Sequence, residues 1–213
     1  MGENVSDPMM RIVLLLLFLF RFTSYQAQSL VSKFARISRP EKIWVATHPF
    51  VVKRAFKATI RSYFITDSIK KSGTIGNDMS GGKLDAFKHA YWMACVSKAI
   101  GSRKALKLGR AHEKGNRLQF KKQELEDKIL PDSISSVMDL HNNEQGANAG
   151  KDRTLSEDQL QKRIMELLHQ GKLVCIRKNK QGSYLTCNGE LIDLHQWVGK
   201  WSIPKCIVPS NLN

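Results

Sequence analysis

The fold is decided by the stretch Gly81-Gly82-Lys83-Leu84-Asp85-Ala86-Phe87-Lys88-His89-Ala90-Tyr91-Trp92. Leu84, Phe87 and Tyr91 recur at helical spacing, and glycines at positions 81, 82 and 101 mark the two ends of the predicted helix. Asp85 and His89 are four residues apart, so a helix places the carboxylate and the imidazole one above the other on the same face. This polar pair on an otherwise apolar helix is the first indication of a functional site.

Two later helices are also predicted to present polar groups beside small residues. One contains His112 and Glu113, and the other contains Asp139, Asn142 and Asn143. Adjacent Asn residues are poor helix formers, because their side chains compete for backbone hydrogen bonds. Their presence in a predicted helix indicates a specific hydrogen-bonding or metal-binding role.

Carboxylate and imidazole groups on facing helices are the usual ligands of metal sites in helical bundles. We therefore predict that Asp85, His89, His112 and Asp139 bind a divalent metal ion, Zn²⁺, Mn²⁺ or Fe²⁺. Such an ion lowers the pKa of its bound water toward about 7, which provides a nucleophile at neutral pH. One alternative is metal-free catalysis with His89 or His112 as general base, and another is a purely structural polar network.

The other polar residues of this predicted pocket are assigned to catalysis and to substrate binding. Glu113, next to a predicted ligand, is the predicted general base. The predicted catalytic hydrogen-bond donors are Asn142 and Asn143, and the predicted substrate-binding residues are Lys83, Lys88 and Asn116.

The chain is strongly basic, with 34 Lys and Arg residues against 19 Asp and Glu residues, a net charge of +15 and a pI of about 9.8. Such a charge attracts anionic partners, so we expect an anionic substrate, either nucleic acid or phospholipid, and contact with a membrane surface. The alternative is a basic surface that serves only solubility.

Residues 1–27 have the pattern of a signal peptide. Arg11 precedes nine apolar residues at positions 12–20, and Ala27 provides a small residue for cleavage. Nine apolar residues are too few to span a bilayer, which needs about 20, but they suit a signal-peptide core. A retained N-terminal anchor is the alternative. We expect a bacterial protein that is exported to the periplasm, the outer envelope or the medium.

The remaining chain is predicted to be mainly α. Residues 28–72 form a predicted N-terminal helical segment, and residues 73–171 form a helical core that ends in a helix with a capping box from Ser156 to Gln159. A charged segment at 119–128 is predicted to be a solvated helix or a lid. Strand patterns around Asn188-Gly189 predict a β-meander and tail at 172–213. The predicted fold is a helical bundle-like domain with a small C-terminal antiparallel β-meander.

Four cysteines are too few for a disulfide framework, but one bridge is expected in an exported protein. Cys175 and Cys187 flank a short predicted loop and form the favoured pair, and Cys187 with Cys206 is the alternative. Cys95 lies inside the central predicted helix and is expected to be a small buried apolar residue.

The motifs around these residues resemble an uncharacterised family of bacterial domains of unknown function. Members are similar to D-A-F-R-H-A-Y-W, A-H-E and M-D-L-x-N-N-x-x-G, which correspond here to 85–92, 111–113 and 138–146. The resemblance covers roughly residues 73–178. Domains of this kind also occur at the C-termini of secreted polymorphic-toxin-like proteins, so the resemblance implies an effector-like enzyme.

The sequence therefore predicts a secreted, metal-assisted hydrolase of the phosphodiesterase class, either a nuclease or a phospholipase. The alternative is a non-catalytic secreted module that binds anionic envelope polymers and uses the Asp, His and Asn residues as a structural network.

Overall fold

Helices dominate the part of the chain that this computed structural model describes, residues 37–123 and 130–212. These residues form α1 (Arg39–Thr47), α2 (Pro49–Ser72), α3 (Lys83–Ile100), α4 (Ser102–Lys122), α5 (Ser133–Ala149) and α6 (Glu157–His169). Two strands follow, β1 (Val174–Ile176) and β2 (Ile207–Pro209), together with 3₁₀ turns at Leu194–Trp197 and Ser210–Leu212. The predicted mainly α fold with a small C-terminal antiparallel sheet is confirmed.

The predicted helix that contains Asp85 and His89 is α3, and it is the centre of the fold. Thirteen of its 18 residues are buried, because α2, α4, α5, α6 and β1 all pack against it. A helix that is apolar on most of its circumference needs neighbours on every side. The buried polar residues of α3, which are Asp85, His89 and Ser97, therefore lie against other elements of the protein.

Helix α5 lies directly against α3 because one of its residues, Gly146, and the residue that follows the helix, Gly150, are glycines. A Cβ atom at Gly146 would lie 1.9 Å from the carbonyl oxygen of Ala90, and one at Gly150 would lie 2.2 Å from that of Ala94. No side chain fits at those distances. The two glycines therefore fix the crossing of α3 and α5, and this crossing brings polar residues of α5 to the polar face of α3.

The C-terminal sheet pairs the first strand with the last. β1 runs antiparallel to β2, with Val174 opposite Pro209 and Ile176 opposite Ile207. The segments predicted as strands around residues 183–187 and 190–192 form only isolated bridges, Lys178 with Tyr184 and Leu185 with Leu191.

The favoured prediction, a disulfide between Cys175 and Cys187, was wrong about the partner of Cys187. Cys187 is bonded to Cys206, which was the alternative pairing, and Cys175 is a fully buried residue of β1 that forms no disulfide. The side chain of Cys175 packs in the apolar core, whereas Cys206 immediately precedes β2. The backbone N–H of Cys206 donates to the carbonyl of Leu185, two residues before Cys187, and this contact brings Cys206, and not Cys175, to Cys187. Cys95 is partly buried at the edge of the core.

Some predictions concern residues outside the described ranges. The predicted signal peptide at 1–27 is one of them, as are residues 28–36 of the predicted N-terminal segment and residues 124–128 of the predicted solvated helix or lid. The described residues from Arg39 onward form one compact unit, in which α2 packs along α3. Among the described residues, no helix has both the length and the apolar character required to cross a membrane.

Candidate metal centre

Three buried side chains meet where α3 and α5 cross. The Nε2 atom of His89 lies 3.4 Å from an oxygen of Asp139 and 3.6 Å from an oxygen of Asp85. One potential ligand atom from each residue lies within 4.8 Å of the other two. Tetrahedral coordination with bonds of about 2.1 Å separates ligand atoms by about 3.4 Å. Among residues 37–123 and 130–212, no other group of His, Cys, Asp and Glu converges in this way.

The position of Asp85 is fixed by the glycine turn before α3. The backbone N–H of Gly81 donates to Oδ2 of Asp85 at 2.8 Å, and its carbonyl accepts from the N–H of Ile176 at 2.7 Å. Gly81 has a φ of 92°, and a Cβ atom there would lie 2.7 Å from the Ile176 side chain. Only glycine meets both requirements. The turn therefore orients Asp85 so that Oδ2 accepts from the backbone N–H of Gly81 and Oδ1 faces His89.

The surroundings of His89 favour its neutral form. Burial lowers the pKa of His89 well below its usual value, and the positive charge of Lys88 and the neighbouring His112 lower it further, while Asn143 opposes the shift. A neutral imidazole has a free nitrogen lone pair, which is the form that binds metal ions. Lys88 also places its ammonium 3.4 Å from Asp85.

His112, the fourth predicted ligand, lies beside the cluster and not in it. Its ring centroid is 6.3 Å from that of His89, and its edge packs on Trp92. Its Nδ1 atom lies 3.1 Å from a carboxylate oxygen of Glu41 on α1. Glu41 does not stand out in the sequence, because an acid in the first turn of a helix is commonly explained by the helix dipole.

Glu113 and Asn116, both on α4, form a buried pair of their own. The amide nitrogen of Asn116 donates to Oε2 of Glu113 at 3.2 Å. Neither side chain lines the clefts described below. The structure therefore gives Glu113, the predicted general base, a buried amide partner away from the cleft surface.

The two adjacent Asn residues of α5 have different neighbours. Asn142 accepts from the backbone N–H of Val174 at 2.9 Å and donates to its carbonyl at 3.0 Å, so it binds α5 to β1. Asn143 is also buried, and its amide lies against Gly109 of α4, where a Cβ atom would be 3.1 Å away. The side-chain amide of Asn142 is therefore bonded to β1, whereas Asn143 lies beside His89.

The Asp85, His89 and Asp139 side chains line an open cleft. The other walls are the Ser80–Gly81 turn, Leu130, Pro131, Ser135 and Tyr184. A second cleft shares Met79 and Lys88 with the first and is lined by His112 and by Tyr63, Thr66, Asp67 and Lys70 of α2. Lys88 therefore lines both clefts. Lys83, a predicted substrate-binding residue, lines neither cleft and is partly buried at the start of α3.

The wall around Tyr184 is held by two ion pairs. Lys178 is 2.5 Å from Asp78, and Lys205 is 2.5 Å from Asp132, which also caps α5. Both ammonium groups lie over the Tyr184 ring. The Tyr184 hydroxyl donates to the carbonyl of Ser80, and burial raises the pKa of this tyrosine. The C-terminal segment is thereby attached to the turn that positions Asp85.

Comparison with known proteins gives one finding on the family. A family model described as a domain of unknown function, DUF6973, matches residues 42–172. The comparisons with curated proteins and with solved structures give no match. The matched range begins in α1, ends just before β1 and includes Asp85, His89 and Asp139. Since the match covers more than half of the chain, the protein belongs to the DUF6973 family of domains of unknown function.

Proposed function

We propose that Asp85, His89 and Asp139 bind one divalent metal ion, Zn²⁺, Mn²⁺ or Fe²⁺, and that the protein is a metal-dependent hydrolase of phosphodiesters. The observation that carries this proposal is the convergence of three buried potential ligands within 4.8 Å of one another at the surface of an open cleft. Two buried carboxylates at this separation repel each other unless positive charge lies between or beside them.

The charge of the cluster favours a divalent ion. The two carboxylates carry two negative charges, the neutral His89 carries none, and the nearby Lys88 contributes one positive charge. These four side chains therefore sum to a net charge of −1 without a metal and of +1 when a divalent ion binds. A positive site next to Lys88 suits an anionic substrate, in agreement with the net charge of +15.

Three protein ligands leave a coordination position for water, as is typical of catalytic sites. The ion would supply a water of lowered pKa and would polarise a phosphoryl oxygen. Lys88, which lies between the two clefts, would bind the phosphate and orient it.

His112 and Glu41 are suited to proton transfer. Glu41 engages Nδ1 of His112, and His112 lines the same cleft as Lys88. In this proposal His112 is the acid–base residue that protonates the leaving group, and Glu41 orients its ring. Glu113, whose oxygen accepts from Asn116 in a buried environment, is not given this role.

Export is part of the proposal as well. The apolar run at 12–20 and the Cys187–Cys206 disulfide are both typical of proteins that function outside the cytosol. The resemblance to toxin-associated domains supports an effector-like enzyme.

The test separates metal ligands from the acid–base residue. We expect the full chain to contain one equivalent of Zn²⁺, Mn²⁺ or Fe²⁺ by elemental analysis and to hydrolyse bis(p-nitrophenyl) phosphate. Asp139→Asn keeps the shape of the side chain and should weaken metal binding by at least about 100-fold, more than the loss of an outer-shell partner does. His112→Gln should keep the metal and lose roughly 10²–10⁴-fold in kcat.

His141→Gln is the matched control for these variants. His141 is on α5 near Asp139, but its ring bonds the carbonyl of Lys172 and is not part of the cluster. It should keep both metal and activity. A wild-type protein without stoichiometric metal, whose Asp139→Asn variant hydrolyses the ester at the wild-type rate, would overturn the proposal. A folded, metal-free protein that binds anionic polymers without turnover would favour the binding module instead.

A further inference from the structure

Helix α2 presents an outward stripe in which apolar and cationic side chains alternate. At about 100° per residue, seven exposed residues fall on an arc of about 120°. We define them as the α2 stripe: Phe50, Lys53, Arg54, Lys57, Ile60, Arg61 and Phe64. Phe50 is 96 % exposed and Phe64 is 64 % exposed. The stripe is about 21 Å long, at a rise of about 1.5 Å per residue.

The fold itself does not explain these exposed apolar side chains. Helix α2 already packs on the protein through a different face, with Val51, Ala55, Ser62 and Thr66 buried. A face in contact with water is normally polar, whereas this one carries two Phe residues and an Ile. The helix therefore has one face in the core and a second, partly apolar face on which, among the described residues, only Arg61 has an ion-pair partner.

The charges on the stripe have one sign. No Asp or Glu occurs between Pro49 and Thr66. Arg61 is paired with Glu157 of α6 and lies over the Phe64 ring, but Lys53, Arg54 and Lys57 form no ion pair within the described part of the chain. A partner of this surface must therefore combine negative charge with an apolar phase.

Helix α4 provides an internal comparison. It also carries an exposed cationic stripe, but no aromatic side chain alternates with the charges: Arg103, Lys107, Arg110, Lys114, Arg117 and Lys121. Cations alone suit a polyanion such as a nucleic acid. A basic helix that also exposes Phe and Ile suits the interface of an anionic membrane, because its long cationic side chains reach the head groups while its apolar side chains enter the acyl boundary.

We propose that the α2 stripe docks the protein on an anionic lipid bilayer. Phe50, Ile60 and Phe64 enter the boundary between head groups and acyl chains, and the three unpaired cations contact the anionic head groups. This proposal depends only on the exposed face of α2 and not on the metal centre.

Docking also brings the cleft to the membrane. The neighbouring arc of α2, with Tyr63, Thr66, Asp67 and Lys70, lines the cleft that contains Lys88 and His112. Docked through the stripe, α2 holds this edge near the lipid head groups. Together with the proposed function, on which this step rests, the docking makes a phospholipid head group the substrate and its phosphodiester the bond that is cleaved.

The first test compares two triple variants with the same change in charge. Sedimentation with vesicles should show that the full chain binds phosphatidylcholine–phosphatidylglycerol vesicles and not pure phosphatidylcholine vesicles. Lys53→Gln/Arg54→Gln/Lys57→Gln should weaken binding on the order of 100-fold, because each cation near the surface contributes about fivefold. The control Arg103→Gln/Lys107→Gln/Arg110→Gln removes the same charge from α4 and should weaken binding by less than about fivefold. Equal losses in the two variants would overturn the proposal.

The second test reports on the stripe itself, so that any membrane contact of residues 1–36 does not affect it. In Phe50→Trp, the added tryptophan fluorescence should be quenched by vesicles whose acyl chains are brominated, and Phe64→Ser should reduce this quenching. Absence of quenching would contradict insertion. A single-stranded oligonucleotide that binds more tightly than the vesicles, and loses affinity in the α2 triple variant, would identify a nucleic-acid surface instead. Asp139→Asn should bind vesicles like the wild type without hydrolysing lipid, which separates failure of docking from failure of the metal centre.

Discussion

Gly146→Ala is predicted to damage both the stability and the metal centre of this protein. The added methyl group would lie 1.9 Å from the carbonyl oxygen of Ala90, whereas a carbon–oxygen contact needs at least about 3.3 Å. Helix α5 would therefore move away from α3 by about 1.4 Å. Asp139 is two turns away on the same helix, so a rigid shift would lengthen its distance to His89 from 3.4 Å to about 4.8 Å.

The expected free-energy change follows from two opposing effects. Alanine improves helix propensity by about 1 kcal/mol over glycine. Overpacking costs about 1–3 kcal/mol, and the upper end applies here because a backbone carbonyl in a helix cannot rotate away. We expect a net loss of about 2 kcal/mol in the free energy of unfolding, or roughly 4–8 °C in Tm for a protein of this size.

Chemical denaturation and metal titration test this prediction together. Asn148→Ala is the control, because it improves helix propensity at an exposed position of the same helix. The control should be as stable as the wild type or more stable and should keep its metal. If Gly146→Ala is as stable as the control and binds metal with unchanged affinity, the contact between α3 and α5 does not fix the site as argued.

Two further predictions test the roles that the structure gives to individual residues. Asn142→Ala should lower the free energy of unfolding in urea by about 2–4 kcal/mol, because the N–H and the carbonyl of Val174 both lose their partner, and kcat per folded molecule should not change. Unchanged stability together with a large loss of kcat would instead indicate a role in the active site. Cys187→Ser should lower the free energy of unfolding by about 3 kcal/mol, since the disulfide closes a loop of 19 residues, and a denaturation midpoint that a reducing agent leaves unchanged would contradict this.

Local signals were sufficient to predict the helices. The capping box at Ser156 and Gln159 forms as predicted, and Asp132 caps α5 after Pro131. These interactions join residues two or three positions apart, so the sequence alone contains both partners. The same holds for Asp85 and His89, which share a face of α3 because of helical geometry alone.

Contacts between distant segments could not be derived in this way. Glu41 meets His112 only because α1 lies on α4, and Cys206 meets Cys187 only because β2 returns to β1. Lys205 and Asp132 form a buried ion pair 73 residues apart, and neither residue stands out in the sequence. Spacing patterns contain no information on which distant element will be adjacent, so such partners appear only in the folded chain.

The adjacent Asn142 and Asn143 show how one sequence signal can have two causes. Neighbouring residues on a helix point about 100° apart, so the two amides cannot both face the same pocket. The structure directs Asn142 to β1 and Asn143 to Gly109, beside His89. The pair was unusual for a helix, as the sequence indicated, but only Asn143 is placed to act on the site. Because Asn142 ties α5 to the sheet, and α5 carries Asp139, the structural amide nevertheless helps to hold a proposed metal ligand in position.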